Sequence, residues 1–430
     1  MNYKNYILKN SYLKLFLFFL TLLAYFRSPF IFNNGRFFSA DLNYHLLSNE
    51  LNFIDAITFV DYSARYINLI SNISSIISSR FFDLNYAQYV SVYLSFFIYL
   101  CIFYKILFKD SYFFKKSYQK YLGSLLCLIA PVLNFEIWLN AINLQVYFGL
   151  LTFIILFLKE KENNRFNIVL LLIGGLSGIY SCLFTPFFLV KYLINKKLSN
   201  LINFFVLLIC SLIQLYLIFY VSMQYNPVGS DQSNTSLTFI INKFEIISFF
   251  YNVIIRSFFG SAIPTYVMGL IEIDLYNVLH NEIIRSKLFY FTLLLLSIFV
   301  YATYYFLNFI VNKEDKIIYF FLLLIFPLIS LVVIFGGDTQ SLHGRYSSLA
   351  GMVIIFGVLH LSNSVSLNWI RFFCIALIFS TIFTGLLDYR MKKYIYYLDC
   401  INCPDWKIEV KKYKSNNDYK LNAWPYHIDR

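Results

Sequence analysis

Long apolar runs separated by short polar gaps dominate this chain. Each run has the length or the apolar content of a helix that crosses a membrane, while the gaps collect most of the charged residues. Several runs are shorter than the roughly 20 residues of a lone spanning helix, so we expect them to pack against neighbours. The pattern predicts an all-α, polytopic transmembrane bundle of about eleven helices, at residues 13–32, 86–108, 121–133, 146–158, 168–181, 183–193, 201–223, 288–311, 317–335, 348–361 and 369–387.

Lysines orient these helices. Lys4, Lys9 and Lys14 precede the first run, and no small-residue cleavage site follows it, which favours a retained helix with its N-terminus in the cytoplasm. Following the chain from there predicts a membrane domain over residues 1–387 and a basic tail over 388–430. The tail is predicted outside, although its nine Lys and Arg residues would favour the cytoplasm. Predicted outer loops, some with interfacial helices, cover about 33–85, 224–287 and 336–347.

Composition narrows the class of protein. The chain has 430 residues, of which 59% are hydrophobic and 13% charged, and this excludes both an ordinary soluble enzyme and a disordered chain. A net charge of +12 would suggest nucleic-acid binding in a soluble protein. In a membrane protein it reports cytoplasmic lysines, so no nucleic-acid partner is expected.

Arginine and lysine separate by predicted side. The cytoplasmic loops hold 15 Lys, 2 Arg and 5 acidic residues, whereas the outer loops, without the tail, hold 7 Arg, 2 Lys and 12 acidic residues. Arginine suits bidentate binding of phosphate or carboxylate. The outer face is therefore the expected working face, with the alternative that its longer loops are simply solvated.

The first outer loop carries a candidate general base. It reads N-N-G-R-F-F-S-A-D-L-N-Y-H over 33–45 and V-D-Y-S-A-R-Y over 60–66. Asp41, just beyond a membrane helix, could deprotonate a sugar hydroxyl, and His45 lies one helical turn further on. Asp61 and Arg65 are candidate substrate ligands. The alternative is that Asp41 caps an interfacial helix.

A second outer segment combines amides, a carboxylate and an aromatic. The stretch 131–145 reads P-V-L-N-F-E-I-W-L-N-A-I-N-L-Q, in which Glu136, Asn140 and Asn143 have the spacing of one helix face. Trp138 is expected at the membrane interface, either as an anchor or beside a bound sugar. With Gln145, these residues are candidate sugar ligands.

A third outer segment, G-G-D-T-Q-S-L-H-G-R-Y over 336–346, is a candidate phosphate site. Its paired glycines permit unusual turns close to a ligand. Arg345 could clamp a lipid phosphate, with His343 beside it, or could extend toward headgroups. Asp338 could hold that arginine or a metal. We therefore assign no cofactor and no metal ligand, and leave a divalent metal open.

The cysteines divide into two groups. Cys400 and Cys403 form a lone C-x-x-C in the tail, for which a disulfide, half of a metal site or no role are all open; we favour a structural bridge. The remaining cysteines lie in apolar runs and are expected to be small core residues, at Cys101, Cys127, Cys182, Cys210 and Cys374.

Missing motifs exclude several enzyme classes. The sequence contains no G-x-x-x-x-G-K-[ST], no G-x-G-x-x-G on a strand and no H-E-x-x-H, so neither a nucleotide-driven pump, dinucleotide chemistry nor a zinc protease is indicated. The predicted spans also carry few charges, whereas ion-coupled transporters usually place some at mid-membrane.

The chain resembles polytopic bacterial membrane proteins of surface-polysaccharide biosynthesis, many of which are similar to GT-C-type glycosyltransferases. The motifs that carry the resemblance are Asp41, D-Y-S-A-R-Y at 61–66, W-L-N-A-I-N-L-Q at 138–145, G-G-L-S-G at 174–178 followed by Pro186, H-G-R-Y at 343–346, and D-W-K-I-E-V and A-W-P in the tail. It departs from the family in having Ala40-Asp41 where an acidic pair is frequent, and a tail of about 43 residues instead of a large soluble domain.

That resemblance implies a multi-pass protein of the bacterial cytoplasmic membrane, with a polyprenyl-phosphate sugar donor and a glycan or lipid-linked acceptor. Asp41 would be the base, and Arg345 with His343 would contact the departing phosphate. The expected function is a membrane glycosyltransferase of O-antigen, capsule or exopolysaccharide assembly. The alternatives are an O-antigen or capsule polymerase, and a non-enzymatic polysaccharide or lipid carrier.

Overall fold

A computed structural model describes residues 3–61, 64–133, 137–159, 162, 165–224, 250–260, 290, 293–294, 296–298, 300–302, 304–305, 307–310, 312–336, 347–390, 405–416, 419, 421 and 423. Over these residues the protein is helical, apart from turns and two isolated β-bridges. The predicted all-α class is confirmed.

In chain order the helices are α1 (Tyr3–Arg27), α2 (Pro29–Asn34), α3 (Ser39–Glu50), α4 (Phe53–Ile57), α5 (Leu69–Phe81), α6 (Leu84–Phe108), α7 (Ser117–Ile129), α8 (Leu144–Leu156), α9 (Arg165–Leu176), α10 (Ile179–Cys182), α11 (Thr185–Asn195), α12 (Leu198–Gln224), α13 (Arg256–Phe259), α14 (Lys313–Gly336), α15 (Ser347–Ser364), α16 (Asn368–Leu387) and α17 (Trp406–Ser415). A π-helical turn, Phe250–Ile255, precedes α13, and a 3₁₀ turn, Leu307–Phe309, precedes α14.

The chain forms two compact units. The first unit contains residues 1–109, 137–226 and 390–430, and the second contains 110–136 and 227–389. The first unit therefore joins the first predicted outer loop, the Trp138 segment and the tail, which are far apart in sequence.

Four helices of the described residues are long and apolar enough to cross a membrane: Leu84–Phe108, Leu198–Val221, Ser347–Ser364 and Asn368–Leu387. A fifth candidate is a helix pair, Arg165–Leu176 with Ile179–Asn195, bent by 119° at the break. Membrane-spanning character is thus supported, while the count of eleven spans and the cytoplasmic N-terminus stay predictions.

The bend falls where two spans, 168–181 and 183–193, were predicted. Gly178 adopts φ 128°, a backbone conformation that residues with a side chain rarely adopt. Because this conformation is not helical, α9 cannot continue through it. Pro186 occupies the first turn of α11, where its missing N–H is not needed. These two residues explain why one apolar stretch becomes two short helices at a steep angle.

Buried cations lie at one end of the first unit. Lys191 of α11 is buried and donates hydrogen bonds to the carbonyls of Leu156 (2.7 Å) and Leu158 (2.8 Å), at the C-terminal end of α8. The carbonyls at a helix C-terminus lack intrahelical partners and attract positive charge. Lys191 therefore caps α8 from a neighbouring helix.

Lys105 of α6 and Lys109, which directly follows α6, lie at the same end. Lys105 is fully buried and donates to the side-chain carbonyl of Asn167 on α9, while Lys109 pairs with Glu162 at 3.0 Å. Two of the predicted spans, 86–108 and 183–193, thus carry one buried lysine each. The charges are present near helix ends, where amide, carbonyl and carboxylate oxygens compensate them.

The tail helix α17 packs at the opposite end of α6. Its Trp406 Nε1 donates to the Leu84 carbonyl at 2.9 Å. Glu409 and Arg36 form a salt bridge of 2.9 Å in which both side chains are buried. An apolar core surrounds these contacts and consists of Phe37, Leu42, Ala87, Trp406, Val410, Leu421 and Ala423. The tail and the first loop thus lie at one end of α6, so their predicted outer location holds for both or for neither.

In the second unit, α7 and α16 approach closely. A Cβ built on Gly385 would lie 2.0 Å from the Ile129 carbonyl oxygen, so only glycine fits. In the first turn of α14, the Asp315 carboxylate accepts a hydrogen bond from Lys115 Nζ at 2.8 Å. The same carboxylate lies 3.4 Å from His360 Nε2. These contacts fix the ends of α14 and α15 to the segment before α7.

We predict that Arg36→Ala or Glu409→Ala destabilises the protein by about 3–5 kcal/mol, because each takes the ion-pair partner from a charge that stays buried. Lys414→Ala is the matched control on the same helix. It breaks the half-exposed Lys414–Asp83 pair (2.6 Å) and should cost at most about 1 kcal/mol. Thermal unfolding of the detergent-solubilised protein measures both. Equal losses for the two pairs would contradict the burial argument.

Single cysteines test the packing of the tail. In protein lacking Cys400 and Cys403, Asn49→Cys and Lys411→Cys should react with a membrane-impermeant maleimide from the same side. Both positions are exposed and lie at the tail end of α6. Lys196→Cys, exposed after α11 at the buried-lysine end, should react only from the other side. Labelling of positions 49 and 411 from opposite sides would refute the shared location.

Candidate functional site

Asp41 connects the first outer loop to the Trp138 segment. It lies in the first turn of α3 and is only 5% exposed. One carboxylate oxygen accepts from the backbone N–H of Ala141 at 3.0 Å and the other from that of Ile142 at 2.9 Å. Asp41 thus satisfies two buried donors of a distant turn, and these hydrogen bonds join two of the three segments singled out by sequence.

Over the described residues 137–143, the helix predicted from the spacing of Asn140 and Asn143 is wrong. Residues 137–143 form turns, and α8 begins at Leu144. Leu139 adopts φ 53°, which breaks a right-handed helix. The N–H groups of Ala141 and Ile142, which a helix would direct to carbonyls four residues earlier, donate instead to Asp41.

Asn140 and Asn143 stabilise this turn. The Asn143 N–H donates to the Asn140 side-chain oxygen at 3.1 Å, and the Asn140 amide nitrogen lies 3.4 Å from the Trp138 carbonyl. Both asparagines are buried. At least part of their hydrogen-bonding capacity is therefore used within the protein.

Trp138 is a core residue here, in contrast to the expected interfacial anchor. It is fully buried, and its Nε1 donates to the Ser28 hydroxyl at 2.7 Å. The Tyr99 ring packs edge-on against the Trp138 ring, with 4.8 Å between the two ring centroids. The Arg27 guanidinium lies 4.7 Å from the centroid of the Trp138 ring. Trp138 thus fixes the start of the turn to the end of α1.

His45 has different partners from Asp41. Its Nδ1 lies 2.8 Å from the Ser78 hydroxyl, and its ring packs 5.0 Å from that of Phe37. Burial lowers the pKa of His45 to about 4, so it is neutral near pH 7. A neutral imidazole bonded to a serine holds α3 against α5, and it adds no positive charge beside Asp41.

Asp61 and Arg65 shape the turn that presents Tyr66. The Arg65 N–H donates to the Asp61 carbonyl at 2.7 Å, and Arg65 adopts φ 62°. Tyr66 then accepts a hydrogen bond from Gln145 Nε2 at 2.8 Å. Burial raises the pKa of Tyr44, and the charges of Asp61, Tyr66 and Asp41 raise it further. Both predicted loop carboxylates therefore lie in the electrostatic surroundings of one tyrosine.

The N-terminal half of α5 contributes residues that the sequence interpretation missed. Asn68 Nδ2 donates to the Ile142 carbonyl at 2.9 Å, so Ile142 is held by Asp41 on one side and Asn68 on the other. Asn72 Nδ2 donates to the Ile57 and Phe59 carbonyls, at 2.9 Å each. The sequence feature that could have indicated these residues is N-L-I-S-N over 68–72, in which polar residues recur at helical spacing.

We call this arrangement the polar cluster, defined as Asp41, Tyr44, Tyr66, Asn68, Ser71, Asn72 and Gln145. Burial raises the pKa of Asp41 to about 6, although the backbone N–H groups and the Ser91 hydroxyl lower it in part. A carboxyl group with this pKa can exchange a proton near neutral pH.

Gln214 is a second residue that sequence reasoning missed. Its side chain accepts from the Ile67 N–H (3.1 Å) and donates to the carbonyls of Ile67 (3.0 Å) and Gly175 (3.1 Å). It thereby ties the approach to α5 to the end of α9. A lone glutamine within an apolar span was the signal, because a buried amide there needs a partner.

Other predicted site residues lie outside the described residues: Glu136, Asp338, His343, Arg345, Cys400 and Cys403. Their predicted roles, including the phosphate clamp and the disulfide, stay predictions. Among the residues that the structure describes, no group of three or more His, Cys, Asp or Glu could hold a metal ion.

No family model, curated protein or solved structure matches this chain. A functional proposal therefore depends on the chemistry of the residues and on their geometry.

We predict that Gly178→Ala disrupts the polar cluster. The residue adopts φ 128°, which costs a non-glycine residue about 1–3 kcal/mol, and an added Cβ would meet Gln145 Oε1 at 2.3 Å. Thermal unfolding should show a loss that Gln145→Ala relieves in part in the double variant. Gly357→Ala is the control, because its Cβ would meet the nearest atom at an ordinary 3.5 Å. A Gly178→Ala variant that unfolds at the wild-type melting temperature would contradict the close contact.

Proposed function

We propose that this protein is a membrane glycosyltransferase that takes sugar from a polyprenyl-phosphate donor during cell-surface polysaccharide assembly. Asp41 acts as the general base. It removes the proton from a hydroxyl of the acceptor glycan, whose oxygen bonds to the anomeric carbon of the donor sugar. The bond between that carbon and the phosphate oxygen breaks, and polyprenyl phosphate leaves.

The observation that carries this proposal is a buried Asp41 carboxylate that has a raised pKa and a fixed orientation. A base is most effective when its pKa lies near the working pH, and burial raises the pKa of Asp41 to about 6. The two backbone N–H groups hold its carboxylate in one orientation. Each oxygen has further acceptor capacity, so a substrate hydroxyl can still approach.

The surroundings of Asp41 suit a sugar. The Ser91 hydroxyl hydrogen-bonds Asp41, the charge of Asp41 acts on Tyr44, and the Asn68 amide bonds the same turn residue, Ile142. Amide and hydroxyl groups bond sugar hydroxyls, and aromatic rings pack against sugar faces. Since Asp41 is covered by the turn over residues 137–143, the proposal requires this turn to open when substrate enters. The closed turn excludes water from the base.

The donor phosphate is assigned to the segment over 336–346, which lies outside the described residues. Arg345 would bind the phosphate and His343 would assist, as the resemblance to GT-C-type enzymes implies. The long apolar helices support a location where a polyprenyl chain is available.

We predict that Asp41→Asn abolishes the transfer of sugar to the surface glycan, measured per amount of protein in the membrane, because the amide cannot accept the hydroxyl proton and also leaves one of the two backbone N–H groups of residues 141 and 142 without its acceptor. Asp55→Asn, an exposed carboxylate near α4 in the same loop, is the control and should transfer normally. In wild-type membranes the rate should fall as the pH drops below about 6, because protonated Asp41 cannot accept the hydroxyl proton. Normal transfer by Asp41→Asn would refute the assignment of the base.

The glycan of a deletion strain separates this proposal from its alternatives. A missing sugar with normal chain length supports the transferase. Shortened chains of normal composition would identify a polymerase instead, and lipid-linked units that accumulate in the cytoplasm would identify a carrier.

A further inference from the structure

The polar cluster contains buried oxygen atoms without a hydrogen-bond donor. They are the side-chain oxygens of Asn68, Ser71 and Asn72, each with an exposed area below 1 Å². A buried acceptor left unpaired costs about 1–3 kcal/mol, so several in one region are a sign of a missing partner.

The orientation of the asparagine amides is fixed by their other bonds. The nitrogen of Asn68 donates to the Ile142 carbonyl, and that of Asn72 donates to the Ile57 and Phe59 carbonyls. A flipped amide would place oxygen against those carbonyl oxygens, so the unpaired atoms are acceptors.

Ser71 differs from its neighbours on α5. The hydroxyls of Ser75 and Ser78 donate to carbonyls three residues earlier, at 2.8 and 3.0 Å. Ser71 is 2% exposed and its hydroxyl oxygen has no hydrogen-bond partner. Its hydroxyl is thus available to a ligand, whereas those of Ser75 and Ser78 are used by the helix.

The electrostatics of the cluster disfavour an anion. Asp41 contributes a carboxylate, and Asp61 adds a second carboxylate near Tyr44. Two buried arginines at this end of the first unit are engaged elsewhere, Arg36 with Glu409 and Arg27 over the Trp138 ring. A phosphate placed among these oxygens would meet further negative charge, whereas neutral hydroxyl groups would meet hydrogen-bond acceptors.

We infer that the polar cluster binds the neutral, polyhydroxyl part of the acceptor glycan, and that the donor phosphate binds elsewhere. The hydroxyl groups of this ligand donate to the free oxygens of Asn68, Ser71 and Asn72, and one of them lies at Asp41. This inference deepens the proposed function and rests on it, because it assigns the same site to one of the two substrates.

Two serine variants test the inference. Ser71→Ala removes a hydroxyl that has no partner in the protein, so the melting temperature should stay unchanged or rise. Ser75→Ala is the matched control, since it is equally buried on the same helix and its hydroxyl already donates to the Asn72 carbonyl.

Binding is measured on the full-length protein in detergent by saturation-transfer NMR with glucose, galactose and rhamnose as neutral probes. At least one sugar should bind the wild type. Ser71→Ala should raise the Kd of that sugar about fivefold, which corresponds to the loss of one hydrogen bond. Ser75→Ala should leave its affinity unchanged. Glucose 1-phosphate should not bind better than glucose.

Three results would overturn the inference. They are no binding by any neutral sugar, an equal loss in both serine variants, and binding of Mg²⁺ or Ca²⁺ that displaces the sugar. The sugar measurement does not use catalysis. If neutral sugars bind as expected while Asp41→Asn still transfers sugar in cells, the proposed function fails but the cluster remains a sugar site.

Discussion

The carboxylate of Asp41 and the backbone N–H groups of residues 141 and 142 form the interaction on which the first unit depends. These atoms are separated by about a hundred residues and are buried together. Without the carboxylate, the turn over 137–143 would leave two donors unpaired in an apolar interior. With it, the turn holds Trp138 against α1 and the Ile142 carbonyl against Asn68, so that α1, α3, α5 and α8 meet at one place.

The same interaction has a cost that is informative about function. Burial disfavours the ionised form of Asp41, and the hydrogen bonds recover only part of that loss, as the raised pKa shows. The carboxylate offers one oxygen to each of the two backbone N–H groups, which an amide with a single oxygen cannot do in this geometry. The same carboxylate is the group to which the proposed function assigns proton transfer.

The sequence was sufficient to locate most long helices, because an apolar run such as 86–108 or 348–361 has few other stable forms. The sequence prediction failed over 137–143, where the spacing of polar side chains suggested a helix. There the decisive partner, Asp41, lies too far away in the chain for a local pattern to reveal it. Trp138 was misplaced for a related reason, since its partners on α1 and α6 are brought together only by the fold.

The residues of α5 illustrate a different limit. Charged groups and an interfacial tryptophan stand out in the sequence, whereas Asn68, Ser71 and Asn72 are neutral and short. In an apolar chain, however, small polar residues that recur on one helix face must find partners inside the protein. Gln214 belongs to the same class. Polarity at helical spacing was therefore as informative as charge.

The Arg36–Glu409 contact has a consequence for biosynthesis. The two residues are 409 − 36 = 373 positions apart, and ribosomes add about 5–20 residues per second. For roughly 20 to 75 seconds, a newly made first loop exists without the helix that completes its core. Phe37 and Leu42, which that helix helps to bury, stay open during this interval. A nascent chain of this kind is a natural client for chaperones or insertases that shield apolar surface until translation ends.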